Sequence, residues 1–88
     1  MKESELERLL KALANRRRLS ILKHLRARKE VNVSTIAEVI KLSFSSTSKH
    51  LRLLENAGFV EKEQRGLEMY YRIPDDAPLL VPQVLKHL

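Results

Sequence analysis

Ser43, Phe44, Ser45, Ser46, Thr47, Ser48, Lys49 and Arg52 crowd one short stretch of the chain. Serine hydroxyls can bond phosphate oxygens or base edges. Lys49 brings a point charge, and Arg52 a planar fork that suits bidentate contact with guanine. This chemistry needs an element that turns these side chains outward while its other edge is anchored. Thr47, His50, Leu51 and Leu54 recur at i, i+3, i+4 and i+7, the spacing of one helical face. On a helix from about Ser45 to Ala57, the opposite face then centres on Ser45, Lys49 and Arg52, with Ser46, Ser48 and Leu53 flanking. Short residues at the start of such a helix let its free amides and positive dipole end approach an anion. Ser43 or Ser45 is placed to cap it, and Gly58 stands where helices commonly stop with a left-handed residue.

The next element with usable chemistry is a hairpin. Phe59 to Gln64 and Glu68 to Ile73 are predicted antiparallel strands around Arg65-Gly66-Leu67. Gly66 supplies the positive φ that a two-residue turn needs. Beside a duplex, Arg65 at the tip could enter a narrow, electronegative minor groove, with Lys62 and Gln64 behind it. The alternative is a structural hairpin whose arginine is solvated. Tyr70 and Tyr71 alternate across the second strand, so one belongs in the core and the other keeps a partly exposed hydroxyl. Aromatic residues make up 5% of the chain, too few for a single-strand stacking platform.

Three upstream helices must hold this pair in place. Leu6, Leu9, Leu10 and Leu13 define an amphipathic helix from about Ser4 to Ala14, with Ser4 and Glu7 spaced as a capping box. Asn15 can cap a second helix from Arg16 to about Arg28. Leu19, Ile21, Leu22 and Leu25 cover more than one stripe of it, which makes it central. Val31-Asn32-Val33 is a short extended link. Ser34 is predicted to cap a third helix with Ile36, Ala37 and Ile40 inward, and Lys41-Leu42-Ser43 forms the turn into the fourth. Pro74, Asp75, Asp76 and Pro78 end the hairpin. A last helix is expected within 79–88, starting near Pro82.

The chain has 88 residues, 43% apolar and 32% charged, which suits one globular domain over 1–88. The absence of cysteine excludes disulfides, thiolate metal sites and a cysteine nucleophile, and fits a reducing compartment. No apolar run approaches the ~20 residues needed to span a membrane, and none suits a signal peptide, so a soluble, cytoplasmic protein is expected. The net charge is +6. Residues 1–30 carry ten basic and four acidic groups, which accounts for the whole excess. Residues 31–88 carry seven of each. A polyanion partner fits, although a solvated basic helix face has the same composition. No acid pair or nucleophile–base set is visible, and two glycines cannot build a phosphate-cradling loop. The residues therefore point to no enzyme and no cofactor.

Leu13-Ala14-Asn15 through Arg18-Leu19-Ser20-Ile21-Leu22, the run from Leu42 to Val60, and Gly66 with Tyr70-Tyr71 together resemble one known family. It is the arsenic- and metal-responsive repressors of the ArsR/SmtB type, small dimeric winged-helix transcription factors. The resemblance covers most of the chain. It implies a mainly α fold with a small β-hairpin: two helices, a short first strand, two more helices, two strands and a last helix. It also implies a homodimer paired through the first and last helices. Leu6, Leu9, Leu10, Leu13, Leu80, Val84, Leu85 and Leu88 are the expected interface, since the two ends hold more leucine than a small core needs. Intramolecular packing of the two ends is the alternative.

Several positions depart from the family pattern. Asn32 and Ser34 match the places of two metal-binding cysteines, so that site is lost. His87 lacks the Asp-x-His spacing of a second site, and no metal is assigned to His24, His50 or His87. His50 matches a common family histidine and reads as a packing residue. Lys41 stands where glycine is frequent and, if left-handed, costs on the order of 1 kcal/mol. Phe44 replaces a usually polar residue and could meet a thymine methyl or fold back onto protein. Glu61, Glu63 and Glu68 stand where basic residues are frequent, and Leu67 replaces a common cation. This wing should grip phosphates weakly, with Arg65 and Lys62 its useful charges.

The expected function is a sequence-specific double-stranded DNA-binding regulator, a repressor by resemblance, acting as a homodimer on a near-palindrome. Ser43, Phe44, Ser45, Ser46, Ser48, Lys49 and Arg52 are its expected helix contacts, and Lys62, Gln64 and Arg65 its wing contacts. The effector, if one exists, is left unassigned, and no membrane partner is expected. The rival reading is a winged-helix protein-interaction module, which the acidic wing and Phe44 favour.

Overall fold

The computed structural model describes residues 1–78 and 80–88. Among them are five helices and three strands: α1 (Glu3–Leu13), α2 (Arg16–Arg28), β1 (Glu30–Asn32), α3 (Val33–Ile40), α4 (Phe44–Asn56), β2 (Glu61–Arg65), β3 (Glu68–Arg72) and α5 (Leu80–Leu85). The order is the expected one. The strands form one antiparallel sheet in the order β1-β3-β2. Across β3, Glu30 and Glu61 both face Arg72, while Arg65 faces Glu68 beside the turn.

Local chemistry explains most of the boundaries. The Asn15 side chain accepts from the amides of Arg17 (2.9 Å) and Arg18 (3.1 Å), capping α2 as expected. Ser43 caps α4 by accepting from the Ser46 amide at 3.1 Å. The turn before it places Lys41 at φ 57°, ψ 48°, left-handed without a glycine. Gly58 ends α4 at φ 79°, and Gly66 turns the hairpin at φ 61°.

Two expected caps are corrected. α1 begins at Glu3 behind Lys2, and the Ser4 capping box does not form. Its first turn carries Glu3 and Glu5, whose charges favour the positive helix end without a side-chain cap. α3 is capped by Asn32, which accepts from the Thr35 amide at 2.9 Å, and Ser34 lies inside the helix. The cause is Val33. It is buried, and starting the helix there points it into the core. The last helix starts two residues before Pro82, which keeps proline in the first turn. Leu79 lies outside the described residues.

The core is built by Ile21, Leu22 and Leu25 of α2 with Ile36, Leu51, Leu54, Phe59 and Val81, all almost fully buried. Tyr71 packs into it and Tyr70 is half-exposed, as the alternation required. The leucines expected at a dimer interface divide by exposure in the single chain. Leu9, Leu13 and Leu85 are buried within the single chain, so the core already uses them. Leu6 (40% exposed), Leu10 (48%) and Leu88 (44%) remain open, and Leu80 and Val84 are half-buried.

Candidate nucleic-acid interface

The anchoring edge of α4 is buried through Thr47, Leu51 and Leu54. Thr47 is fully buried, and its hydroxyl donates to the Ser43 carbonyl at 2.8 Å, so burial leaves no unpaired polar group there. His50 is half-buried beside α2, where Arg18 Nη1 donates to its Nδ1 at 3.1 Å. The same guanidinium donates through Nε to the Ala12 carbonyl and through Nη2 to the Lys11 carbonyl at 3.0 Å. Arg18 thus joins the end of α1 to the middle of α4. Burial, then the charges of Arg18 and Arg17, hold the His50 pKa below its ordinary 6.5 and keep the ring a neutral acceptor.

The opposite edge of α4 is open. Phe44 (59% exposed), Ser45, Lys49, Arg52 and Leu53 are exposed, and Ser46 and Ser48 lie half-buried between the two edges. Ser43 is exposed beside them, although its hydroxyl is engaged as the cap. Phe44 points outward rather than folding back into the core. One helix therefore presents hydroxyls, an ammonium, a guanidinium and one aromatic ring on a surface that no other element among the described residues covers. That combination suits phosphate and base-edge contacts.

The wing is arranged differently. Successive residues of a strand face opposite sides of the sheet. Glu30, Glu61, Glu63, Arg65, Glu68, Tyr70 and Arg72 share the outer face, whereas Lys62 and Gln64 alternate to the other. Arg65 is not a free tip charge. Its Nη1 and Nη2 donate to the two carboxylate oxygens of Glu30 at 2.6 and 2.9 Å, and Nη2 also reaches Glu63 at 3.1 Å. Its guanidinium lies 4.7 Å from the Tyr70 ring centroid, within cation–π range. Arg72 pairs with Glu61 at 2.8 Å, Glu63 at 3.0 Å and Glu30 at 3.3 Å. Hydrogen bonds from Arg65, with further help from Arg72, hold the Glu30 and Glu63 carboxyls below their usual range. Lys62 pairs with Glu55 of α4 at 3.6 Å, and the Gln64 amide folds onto the Gly66 carbonyl at 2.8 Å. Leu67 stands fully exposed at the turn.

Glu30 and Arg72 are the residues that the sequence did not disclose. Their signal is opposite charges facing each other in register, visible only once β1 is known to pair with β3. Among the described residues no group of three metal-ligating side chains gathers, and no helix is long and apolar enough to cross a membrane.

The helix-turn-helix domain family matches residues 13–63, from the end of α1 into the wing. The arsenical resistance operon repressor of Bacillus subtilis is 34% identical over 70 residues, covering 80% of this chain and 67% of that protein. The chain spans 65% of the transcriptional repressor PagR of Bacillus anthracis and 60% of a cadmium resistance regulator from Staphylococcus aureus. In three dimensions it is similar to a Mycobacterium bovis domain described as a homodimeric winged helix-turn-helix DNA-binding domain of a possible ArsR-family regulator. That match has a TM-score of 0.83 and 36% identity, covering 96% of this chain and 78% of that one. The PagR structure matches with a TM-score of 0.77 and 31% identity, covering 96% and 92%. The helix order, the uncovered face of α4, the hairpin beside it and these similarities agree: the chain belongs to the ArsR family of winged helix-turn-helix transcriptional regulators.

Proposed function

We propose that this chain is a sequence-specific double-stranded DNA-binding repressor that acts as a homodimer on a near-palindromic operator. The observation that carries the reading is the α4 surface. It is anchored by buried Thr47, Leu51 and Leu54 and leaves Ser45, Lys49 and Arg52 open to a groove. Ser43, Ser46 and Ser48 lie near enough to its N-terminal half for hydroxyl contacts to phosphate, and Phe44 is exposed toward a thymine methyl. Leu6 and Leu10 on α1, with Leu88 at the other end, supply apolar surface for a second copy. A two-fold pair would set the two α4 helices about 34 Å apart, facing successive major grooves. The relatives named arsenical resistance operon repressor and PagR support the repressor reading. With Asn32 and Ser34 in place of thiolates, metal sensing through that site forms no part of it.

The test is a titration of duplex DNA, selected from a random pool, against salt. Affinity should fall with a slope of about −0.9 per phosphate neutralised. Lys49→Ala and Arg52→Ala should narrow the difference between selected and scrambled duplex by roughly 1–3 kcal/mol each. Failure to bind any duplex at low salt, including the promoter of its own gene, would refute the proposal. The second reading, a protein-interaction module, draws on the outer sheet face, where four carboxylates outnumber two guanidinium groups. A stable protein complex that buries Lys49 and Phe44, with negligible duplex affinity, would establish it instead.

A further inference from the structure

We infer that Glu30 and Glu63 withhold Arg65 from DNA, so that the wing is electrostatically silent and the α4 surface alone carries phosphate binding. This rests on the DNA-binding reading above. Arg65 is the last residue of β2, immediately before the turn, and an extended guanidinium there would project beyond the sheet. It runs the other way. Its partners are Glu63 and Tyr70, one cross-strand row back from the turn, and Glu30, which faces Arg72 a further row back. The side chain therefore crosses β3 and lies along the outer face, gripped bidentately by a strand from the opposite edge of the sheet.

Three features make this more than a loose surface pair. The Glu30–Arg65 contact is a two-point fork, which fixes orientation as well as distance. Glu63 bridges Arg65 to Arg72, and Glu30 does so as well, which closes a network rather than an isolated bridge. The Tyr70 ring lies beneath the guanidinium. The surroundings add a second effect. Glu30, Glu61, Glu63 and Glu68 against Arg65 and Arg72 leave this face net negative in a chain of net charge +6, so it repels phosphate locally. The remaining polar side chains of β2 do not compensate, since Lys62 is held by Glu55 and Gln64 by the turn.

Neutralising either gripping carboxylate should release a cation to the DNA. The assay measures affinity of the full chain for a selected duplex of about 30 base pairs, long enough for two half-sites, across a salt series. Glu30→Gln and Glu63→Gln should each bind roughly three- to ten-fold more tightly at low salt. Their slope of log affinity against log salt should steepen by about 0.9 for each added phosphate contact, roughly 1.8 for the two wings of the dimer. Asp76→Asn removes one negative charge that makes none of the network's contacts and should change neither the slope nor the affinity by more than about two-fold. Arg65→Ala alone should leave the slope unchanged, whereas Arg65→Ala in the Glu30→Gln background should erase the gain. Thermal melts of each variant check that the fold persists. If Arg65→Ala flattens the wild-type slope by about 0.9 per protomer, Arg65 already touches phosphate and the inference is wrong. It is equally overturned if Glu30→Gln and Glu63→Gln both behave like Asp76→Asn. Loss of all duplex binding by the wild type would instead remove the DNA-binding reading, and this inference with it.

Discussion

Replacing Arg18 by alanine should destabilise the domain by about 2–3 kcal/mol and reduce its sensitivity to acid. The guanidinium donates three hydrogen bonds, to the carbonyls of Lys11 and Ala12 at the end of α1 and to His50 Nδ1 on α4. A hydrogen bond from a charged donor contributes roughly 1.5–3 kcal/mol when dry. Arg18 is half-exposed, and solvent competition reduces that sum by about half or more. The remainder is a large share of the ~5–10 kcal/mol expected for a small domain. Arg18→Lys should recover less than half, because one ammonium cannot span three acceptors.

The pH dependence follows from His50. Burial, then Arg18 and Arg17, depress its folded-state pKa below 6.5, so the folded protein disfavours the imidazolium. Above 6.5 both states hold the neutral ring and the shift contributes nothing. As pH falls through 6.5 towards the folded value, the unfolded chain takes up the proton first and stability declines. Removing Arg18 removes one of the three causes, so the decline between pH 7.5 and 5.5 should shrink. His50→Gln should abolish its share altogether. Urea denaturation at the two pH values measures both effects, with the m-value checking that the unfolding transition is comparable. An Arg18→Ala unfolding free energy within about 0.5 kcal/mol of wild type, or an unchanged acid decline in His50→Gln, would refute this account.

Other substitutions test single features. Asn15→Ala removes the α2 cap and should lower stability by about 1 kcal/mol, read as a lower urea midpoint, since two amides lose their acceptor. Lys41→Gly relieves a left-handed side chain at φ 57°, ψ 48° and should raise stability by up to about 1 kcal/mol, read as a higher urea midpoint. Leu67→Lys places a cation at the fully exposed turn and should steepen the salt slope of duplex binding by about 0.9 per protomer.

The sequence disclosed what depends on short-range periodicity. The i, i+3, i+4, i+7 pattern of Thr47, His50, Leu51 and Leu54 placed the inner edge of α4 correctly, and Gly58 and Gly66 marked two real positive-φ positions. Ser43 and Asn15 were legible as caps because such residues favour that place by a local mechanism. Ser4 and Ser34 satisfied the same local rule and failed. At α3 the decision belonged to Val33, whose burial starts the helix one residue earlier and moves the cap to Asn32. Which leucines form the core and which remain outside was not legible either. Leu6, Leu9, Leu10 and Leu13 share one helical pattern, and only the packing of α1 separates the buried pair from the exposed pair. The wing failed for a longer-range reason. Arg65 and Glu30 are 35 residues apart, and the partner of a surface cation cannot be inferred before the sheet order is known.

The basic excess of the first 30 residues has a use that composition did not suggest. Arg8 donates to the carbonyl of Asn56 at 2.8 Å, Arg17 to Ile40 at 2.9 Å, Arg18 to Lys11 and Ala12, and Arg26 to Leu85. Each reaches the C-terminal end of a different helix, where free carbonyls and the negative dipole end favour a cation. Much of the charge that reads as polyanion affinity therefore closes the fold from within, and α4 is the principal beneficiary. It is held by Ser43 at its start, Arg18 at its middle and Arg8 at its end. Arg8→Ala separates the two uses of charge. Because Arg8 is exposed, global stability should fall by less than about 1 kcal/mol, while the amides of Ala57 and Gly58 exchange faster than those of the α2 core. If Arg8 mainly attracts DNA, the variant should instead show unchanged exchange and a salt slope flatter by about 0.9 per protomer. Measuring both quantities on one sample decides between a charge that caps a helix and a charge that binds phosphate.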